Sequence, residues 1–436
     1  MNTLYRASLL PLLLTGACAA PPAPVSPAEI SVLAGRVARE PGNGELVLRY
    51  AAALHAGGRC DSAAAVARRG MVLAPANALG PLVAGQCLER AERFDEAIAT
   101  YRAFLARYPT SRGVAAVRSR ELLASRDAAS RYARQALAQE AELSQSPADP
   151  QTVAVLPLQV TGDSAYRPLS RGLAQMLTSD LALLRRFRMV ERLQLGALMD
   201  EMQLSAGTRV DEATAARVGH LMRAGRMVQG LAAIPSEQQI RLEAAVIVGT
   251  GEVTAPASAN GRFRDLLQLE KEVVVGLAAR LGYTLSEAER RAVLENGTAN
   301  LAAFLAYSRG LEAEDRGDYP AAAAYYGEAV RRDPGFQAAR EGYQAATSAP
   351  AAQTGSAGDL TVLANEPAPE PEFTDVTPAT DALGSTIGDI AATQSEQSTA
   401  ITGVTPPPTG TNTAQPPPPT LIGNLTGTIR IVFRLP

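Results

Sequence analysis

The chain has 436 residues and a formal net charge of −3, with 46% hydrophobic and 19% charged residues, a length that suits several domains rather than one core. All but one of the 41 basic residues are arginine, the exception being Lys271, and the near-neutral balance excludes a strong polyanion binder, so no nucleic-acid partner is expected. Two histidines (His55, His220), three cysteines and no tryptophan leave little material for a metalloenzyme, a Ser-His-Asp hydrolase or an aromatic stacking platform. Walker A, GxGxxG, GxSxG, CxxC and HExxH patterns are all missing from the sequence, so no catalytic, cofactor or metal residues are assigned and the chain is expected not to be an enzyme.

Residues 1–18 carry Arg6, a short apolar run from Leu9 to Leu14 and then small residues, which is a secretory signal pattern too short to span a bilayer. Thr15-Gly16-Ala17-Cys18 resembles the bacterial lipobox. The resemblance implies cleavage before Cys18 and lipidation of its thiol. Residues 19–26 then read as a Pro/Ala tether. By similarity to Gram-negative lipoproteins, a cysteine not followed by aspartate implies the periplasmic face of the outer membrane.

Pro41, Pro75 and Pro109 recur every 34 residues, each closing an alanine-rich helical pattern. Aligned on them, Ala51 matches Gly85, Leu54 matches Leu88 and Ala63 matches Ala97, with Tyr101 following. This frame resembles the tetratricopeptide repeat, whose small residues let paired helices approach. The helical domain is placed at 27–149, with Val114–Glu142 as its closing segment. A single further unit at 286–345 carries Gly310, Ala313, Gly317, Tyr319, Ala322, Tyr326, Ala329 and Pro334 in the same frame. One repeat is too little to bury a core alone, so it is expected to lean on the domain before it. Cys60 opens the second helix of one repeat and Cys87 lies late in the first helix of the next. Antiparallel packing brings those ends together, so the pair is a possible disulfide in an oxidising periplasm, the alternative being two small buried thiols. His55 and His220 read as structural helix residues.

From Gln151 the pattern changes. Thr152–Val160 is apolar on both faces and reads as a buried strand, followed by a helix carrying Leu169, Leu173, Leu177 and Leu181. Arg188–Arg192 reads as a second strand, Leu193–Met202 as a short helix and Asp211–Ala224 as another, opened by an acidic first turn. Met227–Ile234 and Ile240–Val248 form two strands around Pro235–Gln239, and an amphipathic helix at Arg264–Leu281 closes the unit. The expected fold is an α/β (α+β) domain with a mixed sheet over 150–285. Glu191 has no second carboxylate or histidine placed to assist it, so an ion pair or helix cap is its expected role.

The element order, with Val153-Ala-Val-Leu-Pro-Leu158, Met189-Val-Glu-Arg192, Ala224-Gly-Arg-Met-Val-Gln-Gly230 and Thr250-Gly-Glu252, resembles the CsgG family, which includes the curli secretion channel and related outer-membrane lipoproteins. In the channel, two insertions form transmembrane hairpins. Here their positions hold only Pro235–Gln239 and Val253–Phe263, short of the two strands of about 9–11 residues that a spanning hairpin needs.

Residues 346–420 are rich in Ala, Thr, Ser and Pro, and no basic residue occurs between Arg340 and Arg430. This composition predicts a disordered acidic linker. Residues 421–436 end in an amphipathic strand with Ile429, Ile431, Phe433 and Leu435 on one face, a docking strand for the chain's own sheet or for a partner. The whole reads as a multidomain envelope lipoprotein of unknown oligomeric state. It would be held to the membrane by its N-terminal lipid and would bind protein partners as a non-enzymatic scaffold in secretion or surface-structure assembly. The alternative is a subunit of an outer-membrane secretion channel, disfavoured by the short hairpin positions.

Overall fold

The computed structural model describes residues 26–204, 211–249, 251–354 and 357–371. The chain opens with helices α1 (Pro27–Arg39), α2 (Gly44–Ala56), α3 (Cys60–Leu73), α4 (Leu79–Arg90), α5 (Phe94–Arg107), α6 (Val114–Ala138) and the one-turn α7 (Glu140–Leu143). Each of α2 to α6 packs on the next. The recurring prolines explain the punctuation. Proline disfavours the helical region for the residue before it. Accordingly Glu40, Ala74 and Tyr108, together with Asp333 further on, all leave the helix with φ between −125° and −141° and ψ between 56° and 92°.

The middle of the chain contains β1 (Asp149–Val155), β2 (Gln159–Gly162), α8 (Leu169–Leu183), β3 (Arg188–Met189), α9 (Arg192–Glu201), α10 (Glu212–Leu221), β4 (Ala224–Ser236), β5 (Gln239–Val248), β6 (Ala257–Gly261) and α11 (Leu266–Arg280). The sheet order is β3-β1-β4-β5-β6, with β2 also paired to β4. Strands β1 and β2 run parallel to β4, while β5 is antiparallel to both of its neighbours. Alternation along β1 sorts the two faces. Val153 and Val155 join Val228, Leu242 and Val246 under α8 and α11. Ala154 and Leu156 join Met227 and Ile247 under α9 and α10, and Ala133 and Ala136 of α6 complete that core. The mixed sheet expected from the sequence is therefore present, with helices on both faces.

Four details differ from expectation. The strand anticipated over Thr152–Val160 is broken at Leu156–Leu158, because Pro157 has no N–H to give the ladder. The strand anticipated at Arg188–Arg192 is only two residues long, and Glu191 already occupies the N-cap of α9. Strand β6 was not anticipated. Its Ala-Ser-Ala-Asn-Gly sequence has no β-branched or aromatic residue, and pairing with β5 alone forms it. The β4–β5 turn is shorter than Pro235–Gln239, with just residues 237 and 238 between the strands.

Helices α12 (Glu287–Glu295), α13 (Leu301–Asp315), α14 (Tyr319–Arg332), α15 (Gln337–Thr354) and α16 (Ala357–Leu363) follow. The linker boundary expected at 346 is not where helical structure stops. Helix α15 runs through it and packs on both α14 and α6, and α16 packs on α2 and α4. Two long-range bonds secure this return: Ser119 Oγ donates to the Ala345 carbonyl at 2.6 Å and Gly113 N to the Glu366 carbonyl at 2.7 Å. Residues 1–25, with Cys18, and 372–436, with the amphipathic strand, lie outside the described residues. Among those described, no helix is long and apolar enough to cross a membrane.

Candidate functional site

The two outer helical pairs repeat one constellation at an offset of 225 residues (85 to 310). Gly85 faces the Tyr101 ring, and Gly310 faces that of Tyr326. A Cβ at Gly85 would sit 2.2 Å from Tyr101 Cζ, and one at Gly310 2.4 Å from Tyr326 Cδ1. Each tyrosine hydroxyl donates to a glutamate one turn after that glycine, Tyr101 to Glu89 at 2.5 Å and Tyr326 to Glu314 at 3.1 Å. Each glutamate also holds an arginine. For Glu89 it is Arg120, from α6 of the same helical array. For Glu314 it is Arg192, from the first position of α9 in the sheet domain.

Arg192 thus belongs to a joint between modules. It pairs with both Glu314 and Asp315 at the end of α13, and Arg171 of α8 also pairs with Asp315. Arg126 of α6 donates to the main-chain carbonyls of Glu314 and Asp315, satisfying acceptors that a helix C-terminus leaves bare. Burial works against the Arg192 charge, but Glu314 together with Tyr326 and Tyr307 outweighs it and holds the guanidinium pKa above its usual value. The preceding residue, Glu191, reaches the other way. It accepts from Arg102 of α5 at 2.8 Å, and Arg102 also pairs with Glu121 of α6 at 2.8 Å. Glu191 therefore has the ion-pair and cap-position role expected of it. Two consecutive residues tie the sheet domain to the helices before it and the helices after it.

A cavity of about 600 Å³ lies at this joint, bounded by Val155 and Pro157 at the carboxyl end of β1, by α8 and α9, and by Arg126, Asp315 and Arg316. Helices α8 and α9 leave toward opposite faces of the sheet here, the position where open α/β sheets receive ligands. In this chain Arg126, Arg171 and Arg192 of the crevice are already engaged by Glu314 and Asp315. The arrangement closes a structural joint with the chain's own carboxylates.

A second polar cluster is buried between α8 and α11. The Lys271 ammonium lies 2.6 Å from Asp180 and 3.4 Å from Glu270, and Asn296 donates to Asp180 at 2.7 Å. Burial, then the charge of Asp180, pushes the Glu270 pKa well above its usual value. Sequence reading missed this cluster, although one lysine in 436 residues, inside an apolar helix, is a signal of a specific partner.

Cys60 is the first residue of α3, Cys87 lies in the last turn of α4, and both thiols are free. His55, in the last turn of α2, joins them, and the ligand atoms of all three lie within 4.8 Å of one another. Burial, then the Arg90 and Arg120 charges, lowers the His55 pKa to about 4, so the ring is neutral near pH 7. Burial and the Cys60 sulfur push the Cys87 thiol up. His220 lies in the last turn of α10, away from this group.

The sheet domain and its joint define a three-layer α/β unit set between helical pairs. The family model described as "Curli production assembly/transport component CsgG" matches residues 134–260, from the end of α6 to β6. That stretch of the chain is CsgG-like. No curated protein and no solved structure matches the chain.

Proposed function

We propose that this chain is a non-enzymatic scaffold of the bacterial cell envelope that serves curli-type secretion or surface-structure assembly, with its CsgG-like domain and helical repeats as protein-binding modules. The observation that carries this reading is the CsgG match over 134–260. We read the helical pairs as tetratricopeptide repeats, supported by the proline-ended helices and the recurring Gly-Glu-Tyr constellation. Lipidation at Cys18 would hold the chain to the periplasmic face of the outer membrane, and the strand bearing Ile429, Ile431, Phe433 and Leu435 would dock onto a sheet edge. A channel role is disfavoured, since two residues separate β4 from β5 and 249–256 separate β5 from β6, against two strands of about 9–11 residues for a spanning hairpin.

In-cell crosslinking followed by affinity capture tests the scaffold, with envelope secretion or assembly proteins as the expected catch. Conductance across liposomes carrying the purified chain would refute it in favour of a pore. Cys18→Ala should release the chain from the membrane fraction, and continued membrane association would refute the anchor.

A further inference from the structure

We propose that His55, Cys60 and Cys87 form a binding site for a thiophilic d10 metal ion, copper(I) or zinc(II). The geometry begins with the α2–α3 turn. Gly58 adopts φ +73°, a left-handed conformation natural to glycine, and the chain reverses there so that the end of α2 and the start of α3 face the last turn of α4. Three ligand atoms no more than 4.8 Å apart share a centre within about 2.8 Å of each, so small side-chain rotations reach the roughly 2.0–2.3 Å of metal–nitrogen and metal–sulfur bonds.

Two further observations point to a ligand. His55 is 2% exposed, yet both its ring nitrogens lack a hydrogen-bond partner, which buried polar groups rarely tolerate. A disulfide between Cys60 and Cys87 would leave both nitrogens bare, whereas a metal ion engages one of them. Arg90 Nη1 lies 3.7 Å from Cys60 Sγ, which places a positive charge beside the sulfur that would bind the ion. Two thiolates and a neutral imidazole match the soft preference of both ions. Binding is a ligand exchange without electron transfer, in which two thiol protons pass to solvent as two metal–sulfur bonds form.

The test uses the reduced chain from residue 19 onward, which omits Cys18, titrated under argon with zinc(II) and separately with copper(I) against chromophoric chelators. One ion per chain is expected for at least one metal, with X-ray absorption showing two sulfurs and a nitrogen. Cys60→Ser, at the half-exposed start of α3, and His55→Gln should each weaken binding by at least about 100-fold, with unchanged helical circular dichroism as the fold control. Should a variant fail to fold, the wild-type absorption spectrum decides. The proposal is overturned if the reduced chain binds neither ion stoichiometrically, if folded His55→Gln binds as wild type does, or if the absorption spectrum lacks nitrogen.

Discussion

Replacing Arg192 by methionine tests whether the joint between modules carries stability. The substitution keeps a long apolar stem and removes the charge that faces Glu314 and Asp315. Glu314 has 7% of its side chain exposed, and Arg192 and Asp315 each have 20%. An exposed pair would be worth at most about 1 kcal/mol, and stripping one partner from a fully buried pair costs about 3–5 kcal/mol. Residual exposure, the Tyr326 hydroxyl on Glu314 and Arg171 on Asp315 place the loss near the lower bound, at about 3 kcal/mol. Glu314→Gln completes a double-mutant cycle, with an expected coupling of about 2 kcal/mol. Urea unfolding followed by circular dichroism gives the energies. Trypsin cleavage after Arg316, beside the joint, should accelerate in the single variants. A coupling below about 0.5 kcal/mol would refute the claim that Arg192 and Glu314 act as a unit.

Gly85→Ala drives a Cβ into the Tyr101 ring, which is fully buried. The 2.2 Å approach to a ring that cannot move into solvent puts the overpacking in the upper part of its range, about 2–3 kcal/mol, and about 1 kcal/mol gained in helix propensity leaves a net loss of roughly 1–2 kcal/mol. Equal stability in urea would show that the ring yields. Lys271→Met should cost about 3–5 kcal/mol by leaving Asp180 buried without its cation. Adding Asp180→Asn and Glu270→Gln should restore most of that loss, and failure to recover would refute an electrostatic origin. Glu270 has a folded pKa raised above the usual 4.5, so its stabilising contribution is complete below pH 4.5 and is lost as pH rises through the folded value. Glu270→Gln should therefore become more stable relative to wild type as pH rises from 4.5, and parallel stability profiles would refute the shift.

Helix ends and the sheet were legible in the sequence because their causes are local. Pro75 acts on Ala74, and the apolar run at Val153–Leu156 suits a buried strand whatever surrounds it. Strand β6 was illegible because Ala257–Gly261 has no strand preference of its own and owes its form to β5. The same holds for the joint. Glu191 and Arg192 form a visible motif, but nothing near them in sequence tells that one meets Arg102 and the other Glu314. The helix ends that carry Cys60 and Cys87 are readable from the proline spacing, and the structure places Cys60 at the start of α3 and Cys87 in the last turn of α4. His55 reads as a structural helix residue in the sequence, and it precedes Cys60 across a Gly-Gly turn, a spacing that sets both at one end of the helical pair.

The bonds from α6 to α15 join residues 226 positions apart in the chain, and this separation has a consequence for the order of synthesis. The first helices emerge long before the segments that cover them, so α2, α4 and α6 must wait with apolar surface uncovered while the whole sheet domain is made. Closure comes only once α15 and α16 arrive. That interval is when a holding chaperone would be needed most, and a chain truncated before α15 would never leave it.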